Sequence, residues 1–397
     1  MKSSSGAKIF NGQFILLTLI SFCVSLGVQA LNSTMSLYVD FAGGTTSFSG
    51  KIAMYFAVTA AVARIVSGNL ADKFGRKMII LVGALIFAVS AASPAIVPGL
   101  GMLIVFRIFQ GIGYSATSTA AGTAAADVLP KERLGEGLGY YGLSQSLAMA
   151  VGPTVGMLII GNDKYNMLFL VIGAFGTVMT LLACFCNYEK GRAIDNDGIL
   201  VEEKKENIIY RLFEKRALPA ACLIMLICTA NASYITFATY FAKSKGFDNP
   251  GLFFTAAAAG MILARILTSW IMDRLPMLAI FLPAAFLEAA SFAIIAYTES
   301  KIVFYWCGAL YGIGLAIFLP LLNAMAIKNT PSKRWGAANA TFYMGQDLGV
   351  SFGSAIWGSV LDISNDNFQL MFLLSMACII VTALAGIIIL KTGTCKK

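Results

Sequence analysis

The sequence predicts an all-α polytopic membrane protein: twelve transmembrane helices in two homologous six-helix bundles, with both termini cytoplasmic. Three observations carry that expectation. Of 397 residues, 58% are hydrophobic and only 12% charged, about half the charge of a soluble domain, so the chain lacks the polar surface to clothe a core of its size. The apolar residues fall in runs of about 20, the length at which a helix crosses a bilayer, and not in the ten-residue alternation of a barrel strand. Finally, the chain repeats itself at a constant offset of 201 residues.

The spans fall near 13–39, 50–71, 78–97, 99–126, 137–160, 165–187, 217–242, 250–272, 277–298, 301–327, 336–361 and 367–390. The first could be confused with a cleaved signal peptide ending at Val28-Gln29-Ala30, but its apolar stretch runs on to Val39. The second and third are joined by a short basic loop from Gly68 to Lys77. The fifth contains Gly152-Pro153, where a proline should kink or loosen the helix. After the sixth comes the single long hydrophilic stretch, 187–216, with seven acidic and seven basic residues, which reads as a solvated connector. It separates a first bundle (1–186) from a second (217–397).

Orientation follows from Lys and Arg. Of the 29, 21 lie in the tails and in the connections leading from even to odd spans. Five (Lys51, Lys164, Lys243, Lys245 and Lys301) lie on the other side, and Arg64, Arg107 and Arg265 lie within spans. That asymmetry is the positive-inside pattern. It accounts for the net charge of +9 as a signature of topology, with no nucleic-acid partner implied.

The repeat aligns Arg64-Ile-Val-Ser and Asp72 with Arg265-Ile-Leu-Thr and Asp273, and Gly111-Ile-Gly113 with Gly312-Ile-Gly314. Pro130, Arg133 and Gly135 align with Pro331, Arg334 and Gly336, Gln145 with Gln346, and Gly152 with Gly353. Paired repeats of this kind are used by transporters with a central site between them.

Three segments carry a family resemblance. The loop Gly68-Asn-Leu-Ala-Asp72-Lys73-Phe-Gly75-Arg76-Lys77 places glycines for close helix approach and a tight turn around an acid among cations. The fourth span holds Arg107-Ile-Phe-Gln110-Gly111, and the fifth Gly152-Pro153-Thr-Val-Gly156. On these residues the chain resembles the major facilitator superfamily, and its drug–proton antiporter branch in particular. The helix-5 segment departs from the branch pattern at Ala148 and Met157. The resemblance implies two bundles that rock about a cavity lined by helices 1, 4, 7 and 10. It also implies a gating role for Gly68, Asp72, Gly75, Arg76 and Lys77, and a helix-5 element at Gly152, Pro153 and Gly156.

Charges inside a bilayer cost about 3 kcal/mol each on insertion scales, so each needs a reason. Arg64 and Arg265 lie close enough to the cytoplasmic ends to snorkel. Arg107 shares a helical face with Gln110, Tyr114 and Ser118, suited to binding an anion or influencing a carboxylate. Asp347 lies mid-span beside Gln346, on a face with Asn339 and Tyr343. It suits proton coupling or a substrate cation, the alternative being a satisfied interhelical hydrogen bond. Glu288 is equally central but on a span that the resemblance makes peripheral, leaving packing and function equally open. Asp40 closes a polar stripe of Gln29, Asn32, Ser33 and Ser36 near the outer end of the first span, where it either takes part in transport or is simply solvated. Gln145, Asn231, Tyr234, Tyr311 and Asn323 complete the candidate substrate and proton residues.

The chain has no histidine and no GxxxxGK[ST] loop. Histidine acid–base chemistry and ATP-driven transport are therefore not expected, nor are a cofactor, a metal site or enzymatic activity. The expected partners are a small-molecule substrate, protons and the lipid bilayer, with the chain working as a monomer in the cell (inner or plasma) membrane. The expected activity is proton-coupled secondary transport, as an efflux antiporter of drug-like amphipathic compounds. The alternative is proton-linked import or export of one metabolite such as a sugar, an amino acid or a metal chelate.

Overall fold

A computed structural model describes residues 9–130, 133–161, 163–187, 214–271, 275–328, 330–331 and 334–391. The greater part of the predicted connector, 188–213, lies outside them. The twelve helices are α1 (Gly12–Phe41), α2 (Thr46–Phe74), α3 (Arg76–Ile96), α4 (Leu100–Val128), α5 (Leu134–Ile160), α6 (Tyr165–Cys184), α7 (Leu218–Ser244), α8 (Leu252–Ile271), α9 (Met277–Tyr297), α10 (Lys301–Lys328), α11 (Trp335–Ile363) and α12 (Phe368–Lys391). Among the described residues, ten contain a stretch long and apolar enough to cross a membrane. Helix α8 shows the apolar stretch Leu252–Arg265 among the described residues, and α11 is diluted by Asn339, Gln346 and Asp347. Most helices extend past the predicted spans because polar ends continue the backbone hydrogen bonding beyond the apolar stretch. Local signals set several starts. Asn11 Oδ1 accepts from the Phe14 N–H at 2.7 Å and Asn367 Oδ1 from the Leu370 N–H at 3.0 Å, while Gly75 turns the chain into α3 at a φ of 85° that only glycine adopts easily. Pro153 does not break its helix: α5 runs through it from Leu134 to Ile160.

The chain forms two compact units. The first gathers the chain up to Leu31, Thr59–Gly152, and the stretch from Ile159 through α6. In it α3 packs on α4 and α6. Small residues make that possible: a Cβ on Gly113 would lie 2.6 Å from the Phe87 nitrogen, and one on Gly176 would strike Ala88.

The second unit gathers Asn32–Val58, Pro153–Leu158 and the described chain from Glu214 onward. Thus the ends of α1, α2 and α5 belong with the second repeat. Here α7 packs on α11 and α8 on α10. Gly345, Gly349 and Gly353, each four residues apart on α11, face the backbone of Ala221, Met225 and Thr229, themselves four apart on α7, and a Cβ at any of the three would collide. This is the small-residue ridge by which membrane helices approach in the absence of a hydrophobic drive. Gly308 and Gly312 of α10 meet Phe253 and Ala257 of α8 in the same way. Between them lies an aromatic core in which Tyr234 stacks on Phe292 at 4.4 Å and touches Phe253, Tyr311 and Phe372.

Candidate transport site

In the first unit Arg107 is 1% exposed. Its Nη1 donates to Gln110 Oε1 at 3.1 Å, one turn on, and Gln110 Nε2 donates to the Ser90 carbonyl of α3 at 3.1 Å. The guanidinium is therefore held within the α3–α4 seam by a side chain that is itself tied to backbone. Such a fixed donor set suits a group that stays charged at all working pH values. Tyr114 is half-buried two turns along.

Helix α5 meets α1 through polar and small residues. Gln145 Nε2 donates to Ser21 Oγ at 3.2 Å. A Cβ on Gly152 would lie 2.7 Å from the Gln29 Cβ and 2.9 Å from the Leu26 carbonyl. Gly152 is thus a close-approach residue, and Pro153 and Gly156 beside it are buried within a helix that continues through the proline.

The basic loop fastens four helix ends. Gly75 makes the turn, Arg76 pairs with Asp127 at the end of α4, and Lys77 Nζ donates to the Cys184 carbonyl of α6 at 2.7 Å and to Asn187 Oδ1 at 3.3 Å. Asn187 N–H in turn donates to Gln13 Oε1 of α1 at 3.0 Å. At Gly68 a Cβ would meet nothing within 4 Å among the described residues, so the close helix approach expected of it is not seen there. The side chain of Asp72 lies outside the described residues.

In the second unit Glu288 of α9 is 0% exposed, and so is Ser291 one turn on. Ser291 Oγ donates to the Cys307 carbonyl of α10 at 2.9 Å and bonds the Tyr234 hydroxyl of α7 at 2.8 Å. Neither carboxyl oxygen of Glu288 has a hydrogen-bond partner among the described residues, and neither does the buried amide of Asn231 on α7. Asp347 is half-buried on α11, as are Gln346 beside it, Asn323 on α10 and Asn32 on α1. Tyr234 and Tyr311 lie inside the aromatic core.

The ends of α1, α2 and α5 dock on the second repeat through polar contacts. Asp40 is exposed and pairs with Lys243 at 3.2 Å. Asp362 of α11 accepts from the Thr46 hydroxyl and from the Ser47 N–H at 3.0 Å, capping α2. Thr239 Oγ1 donates to the Ser33 carbonyl at 2.6 Å, and the Thr154 hydroxyl bonds that of Thr255 at 2.6 Å. Sequence reasoning passed over Asp127 and Asp362, which sit just beyond the predicted spans, and Glu214, which was counted among the solvated charges of the connector. Glu214 instead accepts from Arg334 Nε and from the Arg216 N–H. Burial pushes its carboxyl up, but the Arg216 N–H and the Arg334 guanidinium outweigh this and hold it below its ordinary value.

The chain is 23% identical to the multi-drug resistance efflux pump PmrA of Streptococcus pneumoniae over 94% of each chain. It is also 23% identical to the staphylopine export protein of Staphylococcus aureus over 92% of each. Among solved structures, a POT family transporter in complex with a thioalcohol-conjugated peptide superposes with a TM-score of 0.80 at 14% identity, covering 96% of both chains. A D-xylose–proton symporter does so at 0.70 and 14%, covering 92% of this chain and 96% of the other. These two share the fold. The apolar helices and the export relatives make this a multi-pass plasma-membrane transporter. The family model of the Major Facilitator Superfamily matches residues 17–354, and the chain belongs to that superfamily.

Proposed function

We propose that this chain is a proton-coupled efflux antiporter that works by alternating access and exports small organic or amphipathic compounds. The observation that carries the reading is the docking of the α1, α2 and α5 ends onto α7, α8 and α11 through the polar contacts around Asp40, Thr46 and Thr154. With the basic loop cytoplasmic, these contacts hold the outer end shut. Exposed ion pairs contribute only about 0–1 kcal/mol each, so a latch of this kind opens at an energy that substrate or proton binding supplies. Arg107, Gln110, Asp347, Gln346 and Gln145 are among the polar groups within the helices that take part. The full-length likeness to a multi-drug efflux pump supports drug-like substrates. The likeness to a staphylopine export protein favours a second reading, export of one specific metabolite. Efflux of ethidium and a fluoroquinolone from a pump-deficient bacterial host separates the two. The first reading predicts protonophore-sensitive efflux of both compounds. Efflux of neither would overturn it in favour of the second.

A further inference from the structure

Among the described residues of the second unit, Glu288 is a charge-bearing side chain that is fully buried and has no hydrogen-bond partner. It is 0% exposed on α9, a helix expected to be peripheral. Its carboxyl group lies against Gly314 of α10, where a Cβ would sit 3.4 Å from Cδ and 3.5 Å from Oε2. The glycine thus forms a shallow seat for the acid. On the other side Asn231 of α7 is the one side chain that acts on the carboxyl as a hydrogen-bonding neighbour. The contact remains outside hydrogen-bond geometry, so both polar groups lack a partner among the described residues.

The other titratable groups that feel Glu288 are Cys228 and Tyr234 on α7, Tyr311 on α10 and Cys378 on α12. Asp347 of α11 reaches the same Cys228. All of these are neutral or acidic; no lysine or arginine among the described residues pairs with Glu288. An ionised carboxylate enclosed without a cation is strongly disfavoured against the neutral acid. A neutral acid, by contrast, can rest in a dry helix seam at the modest cost of unmade hydrogen bonds.

We infer that Glu288, seated between Gly314 and Asn231, is the group that binds and releases the transported proton. This rests on the proton-coupled reading above and names its site. In the packed seam the group is the neutral carboxylic acid. When the α9–α10 seam admits water, the O–H bond breaks, the proton leaves to that water and the carboxylate remains hydrated. Release to water on the cytoplasmic side and uptake of one proton from water on the outer side before reclosure carry one proton inward per cycle and leave no net charge on the protein. Asn231 is a positioning residue, offering an amide N–H to the carboxylate when the seam loosens.

The test combines spectroscopy and transport on purified protein. Infrared difference spectra across a pH step should show the C=O stretch of a protonated carboxylic acid disappearing at alkaline pH. The band should be absent in Glu288→Gln and shifted in Glu288→Asp. In proteoliposomes, Glu288→Gln should lose pH-gradient-driven ethidium accumulation by about tenfold or more, and residual ethidium exchange should become independent of pH. Glu288→Asp should retain gradient-driven accumulation and keeps the test open if Glu288→Gln fails to fold. An unchanged band in Glu288→Gln, or full accumulation by that variant, overturns the assignment. If the wild type shows the band but no gradient-driven accumulation, the antiport reading fails and Glu288 is a proton site without a transport role, which removes the inference as stated.

Discussion

The α3–α4 seam of the first repeat and the α9–α10 seam of the second are built on one plan, yet one buries a cation and the other an acid, in different ways. Gly113 and Gly314 occupy equivalent positions, and each faces the residue at one repeat position of the neighbouring helix. In the first repeat that residue is Phe87, whose ring packs on Gly27 of α1; in the second it is Glu288. The first repeat places its charge instead at Arg107, held by Gln110 and through it by Ser90. The second cannot do the same, because its equivalent is Gly308, where a Cβ would collide with the Phe253 carbonyl. The difference separates two roles. A permanently charged group with fixed partners stiffens a seam. An acid without partners makes the seam conditional on its proton.

The most damaging substitution transplants the acid into the first seam. Phe87→Glu replaces a fully buried ring by a carboxyl group with no seat, since the Gly113 Cβ direction points at backbone and not at a side chain. It should lower stability by about 3 kcal/mol or more, read as loss of monodisperse protein and a lower thermal midpoint in detergent. A Phe87→Glu variant as stable as the wild type would show that the first seam is not dry.

A subtler pair of variants probes the two glycines. Gly113→Ala drives a methyl into the Phe87 backbone nitrogen at 2.6 Å, whereas Gly314→Ala meets the Glu288 side chain at 3.3 Å or more. The first should cost about 1–3 kcal/mol by overpacking. The second should cost less, because a side chain can yield, and should show itself in the pH dependence of transport. Equal losses in thermal midpoint would remove the distinction between the seams.

The smallest effect lies at the entrances to the repeats. Glu214, clamped by Arg334, aligns with the non-ionisable Gln13 of α1. Because the folded carboxyl is held below its ordinary value, the unfolded chain binds the proton more readily. The clamp is therefore complete above the ordinary carboxylate pKa of about 4.3 and is lost as pH falls through the lower folded value. Amide exchange at the start of α7, corrected for intrinsic rate, should speed up in acid while the start of α1 does not change. Glu214→Gln should abolish that difference.

Much of this was legible in the sequence, for identifiable reasons. Twelve apolar runs became twelve helices because lipid leaves the backbone little alternative. The Arg107–Gln110 contact follows from i, i+3 spacing on a helix. Its anchor, the Ser90 carbonyl, is a backbone group on another helix and carries no sequence signal. Asp127, Asp362 and Glu214 escaped because each lies just outside an apolar run, where a charge normally needs no explanation. Glu288 was visible as a central acid, but its lack of partners depends on what α7 and α10 place around it. The close α1–α5 contact at Gly152, next to Pro153, depends on what α1 places against it and so carries no sequence signal, and helix α5 continues through the proline.

The central claim is best tested by imposing a pH gradient on proteoliposomes and following ethidium, a permanently charged dye that protonation cannot trap. Antiport predicts that the dye moves uphill into the acidic compartment as protons leave it, and that the movement stops when the gradient is collapsed. Dye that only equilibrates, or that moves uphill in the same direction as the protons, would contradict it.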